Sequence, residues 1–248
     1  MKPHGILFNG ADVRAILDER KTQARRIVKS NLAGELMIHE RECDRVAFFG
    51  TDPNNPCNHT FCFGAVKAPH GPVGRKLWVR ETFAMGYGQV FYRASEGDDC
   101  KAISGAKVPW RPSIHMPQWA ARIWLEVTEI RCQRLRDISE ADATAEGIES
   151  FQDGSGFPDF TEKGIKFRTL ETARESFATL WNSICLPPAP VYDEGRQIIS
   201  YVSYPWAAAD FKAVLPEAWD TRIWKGKPLT ITSNPWVWAY TFKRIEKP

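Results

Sequence analysis

Apolar and polar positions alternate along several stretches of the chain, and each change of period marks an element. Gly5 to Phe8 is a short apolar run that predicts a first strand. Asn9 is placed to cap the helix that follows, in which Val13, Ile16 and Leu17 form one stripe. Leu77 to Arg80 predicts a compact strand with Leu77 and Val79 on one side, and the alternation carries Glu81 onto that same apolar side. Val90 to Arg93 predicts a further strand. Ala121, Ile123, Leu125 and Val127 alternate with Arg122, Trp124, Glu126 and Thr128, the clearest strand signal in the chain. Ser139, with Asp142 three residues on, starts a short helix. Leu170, Ala173, Phe177, Leu180, Trp181 and Ile184 keep helical spacing. Asn234 to Arg244 reads as a last strand with Trp236, Trp238, Tyr240 and Phe242 on one face.

Between these elements the pattern is irregular. Pro53, Pro56, Pro69 and Pro72 break up residues 30–75 into turns and short strands. Pro109, Pro112 and Pro117 predict an ordered loop that displays Trp110, Arg111, Ser113 and His115. Trp110 there either stacks a base or plugs one end of the core. Pro187, Pro188 and Pro190 stop the long helix, and residues 187–234 follow, with Ile198 to Tyr204 β-prone and Asp210 to Trp219 weakly helical. Such a segment predicts an ordered insertion rather than a flexible tail. At 248 residues and 43% hydrophobic content the chain can build a substantial core. The expected architecture is a single α+β domain over 1–248, with insertions near 30–75, 150–168 and 187–234.

Charge changes the picture only locally. The formal net charge is +3, too small by itself to imply nucleic acid. Yet Arg20, Lys21, Arg25, Arg26 and Lys29 fall within ten residues that contain no carboxylate, a footprint that favours phosphate or another anion. The competing account is one solvated amphipathic helix, in which Ala24 and Val28 extend the stripe and Asp18 pairs with Arg14 or Lys21. Glu81, at the end of a core-facing strand, needs a partner: Lys21, for which it would act as acid or base, or Arg26 or Arg80 in a structural pair. Cys57, His59 and Cys62 lie close together, but the second ligand pair of a structural zinc site is missing, so no metal or cofactor is expected. The six cysteines follow no apolar leader and include no CxxC pair, so reduced thiols in a cytoplasm are expected. No apolar run approaches the roughly 20 residues of a membrane helix.

Four blocks carry a resemblance to a known family: KTQ-RR from Lys21 to Arg26, LWVRE over 77–81, PSIHMP over 112–117 and DISEADATAEGI over 137–148. In this order they resemble the longer ASCH-domain proteins of phages and prophages, with Lys21 and Arg26 at two fixed places of the ASCH signature. Glu19 stands where the family has Gly, and Ala24 where it has Glu or Thr. The resemblance implies a PUA-like, partly open β-barrel with short helices, and a cleft beside the Lys-bearing turn that binds RNA or a nucleotide, with DNA a further candidate. The residues it points to for nucleic acid are Lys21, Arg25, Arg26, Arg80, Trp110, Arg111, Ser113 and His115. Some small members resemble amidohydrolases acting on acylated cytidine and others ribonucleases. By that likeness Lys21 and Glu81 would assist a hydroxyl, for which Thr22 is the substitute now that Ala24 supplies none. A protein-interaction module on the same barrel is the third alternative. A monomer in the bacterial host cytoplasm is expected.

Overall fold

The computed structural model describes residues 1–29, 36–39, 46–49, 65–86, 88–97, 109–160, 169–185, 187–207 and 223–248. It is a mixed α+β protein, mostly strands with a few short helices. The chain divides into two compact units. The first holds Met1–Cys132, Ala145–Gly147 and Trp238–Pro248, and the second Gln133–Thr144 and Ile148–Val237.

The first unit is organised by a five-stranded sheet in the order His4–Leu7, Lys76–Arg80, Trp124–Arg134, Trp236–Ile245, Gln23–Ile27. His4–Leu7 runs parallel to Lys76–Arg80, with Ile6 opposite Val79, and Lys76–Arg80 runs antiparallel to Trp124–Arg134, with Leu77 opposite Leu125. The period of two explains what this brings together: Ile6, Leu77, Val79, Leu125 and Val127 are all buried. Alternation then sends Trp78, Arg80 and Trp124 to the other face. There Trp124 is buried with Phe83, Met116, Ala120 and Ala121, and Trp78 packs against them. Gly5 makes this possible, because a Cβ there would stand 2.9 Å from Arg80 Cδ and 3.0 Å from Trp78 Cζ2.

Among the described residues the sheet is open. Its edge strands, His4–Leu7 and Gln23–Ile27, share no backbone pairing, but a side chain crosses the gap. Arg26 Nη2 donates to Leu7 O at 2.9 Å and its guanidinium lies 5.2 Å from the Phe8 ring centre. Helix α1, Gly10–Leu17, follows the first strand and is capped as expected, with Asn9 Oδ1 accepting from Asp12 N at 2.8 Å. The expected strand at Val90 to Arg93 forms as Gln89–Tyr92, paired with Phe83–Gly86, and leads into the short helix α2, Arg93–Glu96.

In the second unit Ser139 caps helix α3, Glu140–Ala145, its Oγ accepting from Asp142 N at 3.1 Å. Helix α4 spans Ala173–Cys185. Leu170, expected on its stripe, instead pairs with Phe157 in a two-stranded ribbon, and Ile184 is exposed. A four-stranded sheet follows in the order Ala189–Tyr192, Ile198–Ser203, Lys227–Ile231, Ile223–Trp224. The 187–234 segment packs on α4: Trp181 Nε1 donates to Tyr204 O at 2.8 Å, and the Trp206 ring stands 6.3 Å from that of Phe177. The helix expected at Asp210 to Trp219, and Cys57, His59 and Cys62, lie outside the described residues. Among those described, no helix is long and apolar enough to cross a membrane, and no three His, Cys, Asp or Glu side chains are placed to hold a metal ion.

Candidate functional site

The basic stretch after α1 forms a strand, not a helical extension. The chain leaves α1 at Asp18, whose N–H bonds Arg14 O at 2.9 Å, and turns on Glu19 at φ 61°. The amides of Arg20 and Lys21 then both close on Ala15 O, at 2.9 and 3.0 Å. Glu19 therefore adopts the left-handed conformation that a glycine takes without cost. Replacing Glu19 by Gly should raise stability by about 1 kcal/mol, read as a higher urea midpoint at unchanged slope. A fall in the midpoint would mean that the left-handed residue carries no strain.

Beyond the turn, alternation sorts the stretch into two faces. Lys21, Gln23 and Arg25 share one, and all three are buried, Lys21 with only 5% of its surface exposed. Lys21 Nζ donates to Glu146 O at 2.6 Å and to Glu146 Oε2 at 2.8 Å, and faces Asp12 Oδ1 at 3.3 Å. Arg25 Nη1 donates to the other carboxylate oxygen, Glu146 Oε1, at 2.8 Å and to Gln23 Oε1 at 3.3 Å. Gly147, at φ 93°, lets this segment lie against the turn, since a Cβ there would stand 3.3 Å from Lys21 Cβ. Lys21 and Arg25 are thus neutralised inside the protein by a carboxylate far away in sequence. Lys21 Nζ is thus tied on two sides by Glu146 and lies beside Asp12. Ala24 is fully buried on the opposite face, so a threonine hydroxyl there would enter the core and not meet Lys21. Thr22 is exposed and lines a cavity of about 280 Å³ with Glu19, Lys21 and Phe242.

Glu81 has a different partner from those expected. It is 1% exposed, and Arg122 grips it with a two-pronged pair, Nε to Oε1 at 2.8 Å and Nη2 to Oε2 at 2.9 Å. Arg122 is itself fixed. Its guanidinium lies 4.2 Å from the Tyr92 ring centre, and Nη1 donates to Ser95 Oγ at 2.8 Å. Arg26 and Arg80, the expected alternatives, hold backbone carbonyls instead: Arg26 that of Leu7, and Arg80 that of Ile114 while its guanidinium lies over Trp78. Lys21 and Glu81 consequently belong to separate clusters and line separate cavities.

The cavity at Glu81 measures about 460 Å³ and is walled by Asn9, Gly10, Arg14, Thr82, Arg93 and Ala94 among others. It takes in the start of α1, where the N–H groups of Gly10 and Ala11 have no acceptor within the helix. A deeply held carboxylate, two arginines and a helix N-terminus thus meet in one concavity. In the 109–122 loop Trp110 is half-buried and packs with Ala84 and Phe91, the packing alternative of the two expected. Arg111 exchanges backbone bonds with Phe83 at 2.7 and 3.2 Å and leaves its side chain exposed. Ser113 and His115 lie in a 3₁₀ turn, His115 exposed. Arg14, Arg93, Arg122, Glu146 and Trp119 were not picked out by the sequence patterns. Only Glu146 lay inside one of the four blocks.

Two histidines and a tyrosine of the first unit carry titration shifts. The His70 ring stands 5.1 Å from His4 and 5.4 Å from Tyr240. Burial, together with Arg26, His4 and Arg75, pushes the His70 pKa down to about 3, and burial raises Tyr240. His4 is lowered by burial and by Arg75 and Arg80. Folded His70 thus stays neutral while the unfolded imidazole, titrating near 6.5, takes up a proton. Stability should therefore fall as pH drops from about 6.5 towards 3, and His70→Phe should lose less between pH 7 and pH 4.5 than the wild type. Equal losses in urea denaturation would exclude His70 as the source.

No family model matches the chain, and neither a curated protein nor a solved structure does.

Proposed function

We propose that this chain is an ASCH-type, PUA-like module of the bacterial host cytoplasm that binds a nucleotide, alone or within an RNA strand, in the cavity at Glu81. The observation that carries this is the arrangement around that one carboxylate. Its 460 Å³ cavity lies within the size range of small-molecule sites. Glu81, oriented by the two-pronged grip of Arg122, has lone pairs left to accept from the amino or imino edge of a base. The α1 N-terminus with Arg14 and Arg93 offers positive potential for a phosphate. Hydrolysis at Lys21 finds less support, because its ammonium is buried, bonded to Glu146 and set beside Asp12.

The test is equilibrium binding of nucleoside monophosphates and of short RNA at rising salt. Measurable binding at 50 mM salt is expected, falling steeply towards 200 mM. Arg14→Ala and Arg93→Ala should each weaken it by about tenfold and flatten the salt slope. Absence of binding to any nucleotide at low salt would contradict the assignment.

A further inference from the structure

We propose that the 109–122 loop is a docking platform for single-stranded nucleic acid, with Trp119 stacking the base next to the one held at Glu81. The inference rests on the nucleotide site proposed above and extends it from one nucleotide to a strand. Four observations point to it. Trp119 is 60% exposed and Ile114 is 56% exposed, whereas Trp78, Trp110 and Trp124 nearby in the same unit are wholly or half covered. Trp119 thus offers an open ring face that core packing does not cover.

The loop also carries no carboxylate, and its exposed cation is Arg111, since Arg122 is matched by Glu81. Residues 109–122 include Arg111, His115 and Arg122 and no Asp or Glu, and Lys247 Nζ donates to Trp119 O at 3.0 Å, placing one more cation against the tryptophan. A polyanion is complementary to this charge, and its bases are complementary to the indole face. A protein partner would need the same surface to be matched by carboxylates without a use for the stacking face.

The platform is held in place and fastened to the wall of the cavity. Arg80 binds Ile114 O, Tyr92 Oη donates to Ala120 O at 2.8 Å, and Met116 is buried with its Sδ 3.3 Å from Glu81 N. Arg122, which clamps Glu81, is only three residues from Trp119, so their Cα atoms lie within about 10 Å of one another. The platform would seat the neighbouring base of a strand whose first base lies at Glu81. Being pinned, the loop presents Trp119 with little ordering left to occur on binding.

The experiment uses the full chain, a fluorescein-labelled 8-mer RNA, its duplex, a DNA 8-mer and an unlabelled nucleoside monophosphate. The 8-mer should bind more tightly than the monophosphate and than the duplex. Trp119→Ala should weaken the 8-mer by about tenfold or more while changing the monophosphate less than twofold, and Trp119→Phe should restore most of the loss. Arg111→Gln should lower the salt slope for the 8-mer by about 0.7. Equal loss of RNA and DNA 8-mers would mean that the platform reads bases and not the sugar, in keeping with stacking. The platform is excluded if Trp119→Ala leaves 8-mer affinity unchanged, if the duplex binds as tightly, or if monophosphate binding persists without any 8-mer binding. Failure of the monophosphate itself to bind would overturn the cavity assignment, and the platform with it.

Discussion

Glu146→Ala should destabilise the protein by about 3–5 kcal/mol, the largest stability effect expected of any single side chain described here. The carboxylate is 6% exposed and faces two buried cations, Lys21 through Oε2 and Arg25 through Oε1, each at 2.8 Å. Removing it takes the carboxylate from Arg25 and leaves Lys21 with the backbone carbonyl of residue 146 and with Asp12, whose side chain is 25% exposed and screened accordingly. Two desolvated charges would then lack full compensation, which is costlier than the net worth of the pairs themselves. Glu146→Gln retains acceptor geometry on one atom and should lose less. Urea denaturation measures both, and amide exchange should show Gln23–Ile27 opening first, because Thr22 N and Ala145 O, 2.8 Å apart, tie the two segments together. A loss below about 1 kcal/mol would mean that solvent reaches these groups far more than their burial implies.

The second large effect concerns ligand binding. Glu81→Gln should reduce nucleotide affinity by about tenfold or more, since a charged hydrogen bond is worth about 1.5–3 kcal/mol. Arg122→Ala should do at least as much by another route. Without the guanidinium, a carboxylate at 1% exposure loses the partner that compensates its burial and the fork that aims it at the cavity. Arg122→Lys should not restore binding, because an ammonium cannot offer both Nε and Nη2 to the two oxygens. Full recovery by lysine would show that only the charge matters and that the fork geometry does not.

The strands on which Glu81 sits were legible because their buried faces are apolar. Leu77, Val79, Leu125 and Val127 declare the period of two, and Glu81 follows from it. Gln23–Ile27 was not legible as a strand for the opposite reason: its covered face is Lys21, Gln23 and Arg25, polar groups that are buried only because Glu146 arrives from the DISEADATAEGI block. Hydrophobic periodicity carries no trace of such a face, and the cluster of charge read instead as an exposed anion footprint. Arg122 was hidden by the same alternation that found its neighbours, since the pattern placed it on the polar side without naming a partner. Trp110 was read as either a stacking or a packing side chain, Trp119 was not singled out, and only the fold tells which ring is covered. The turn at Glu19 shows the limit of local rules in another way: no local pattern marks a glutamate for a positive φ, yet the chain turns there at φ 61° with a strained residue.

The most direct measurement is a crystal of the protein soaked with nucleoside monophosphates and solved for ligand density. Density in the 460 Å³ cavity, with a base edge at hydrogen-bond distance from Glu81 and the phosphate at the start of α1 near Arg14, is the predicted result. Density lodged instead in the smaller cavity against Lys21 and Thr22, with the Glu81 cavity unchanged, would contradict it and return the site to the Lys-bearing turn.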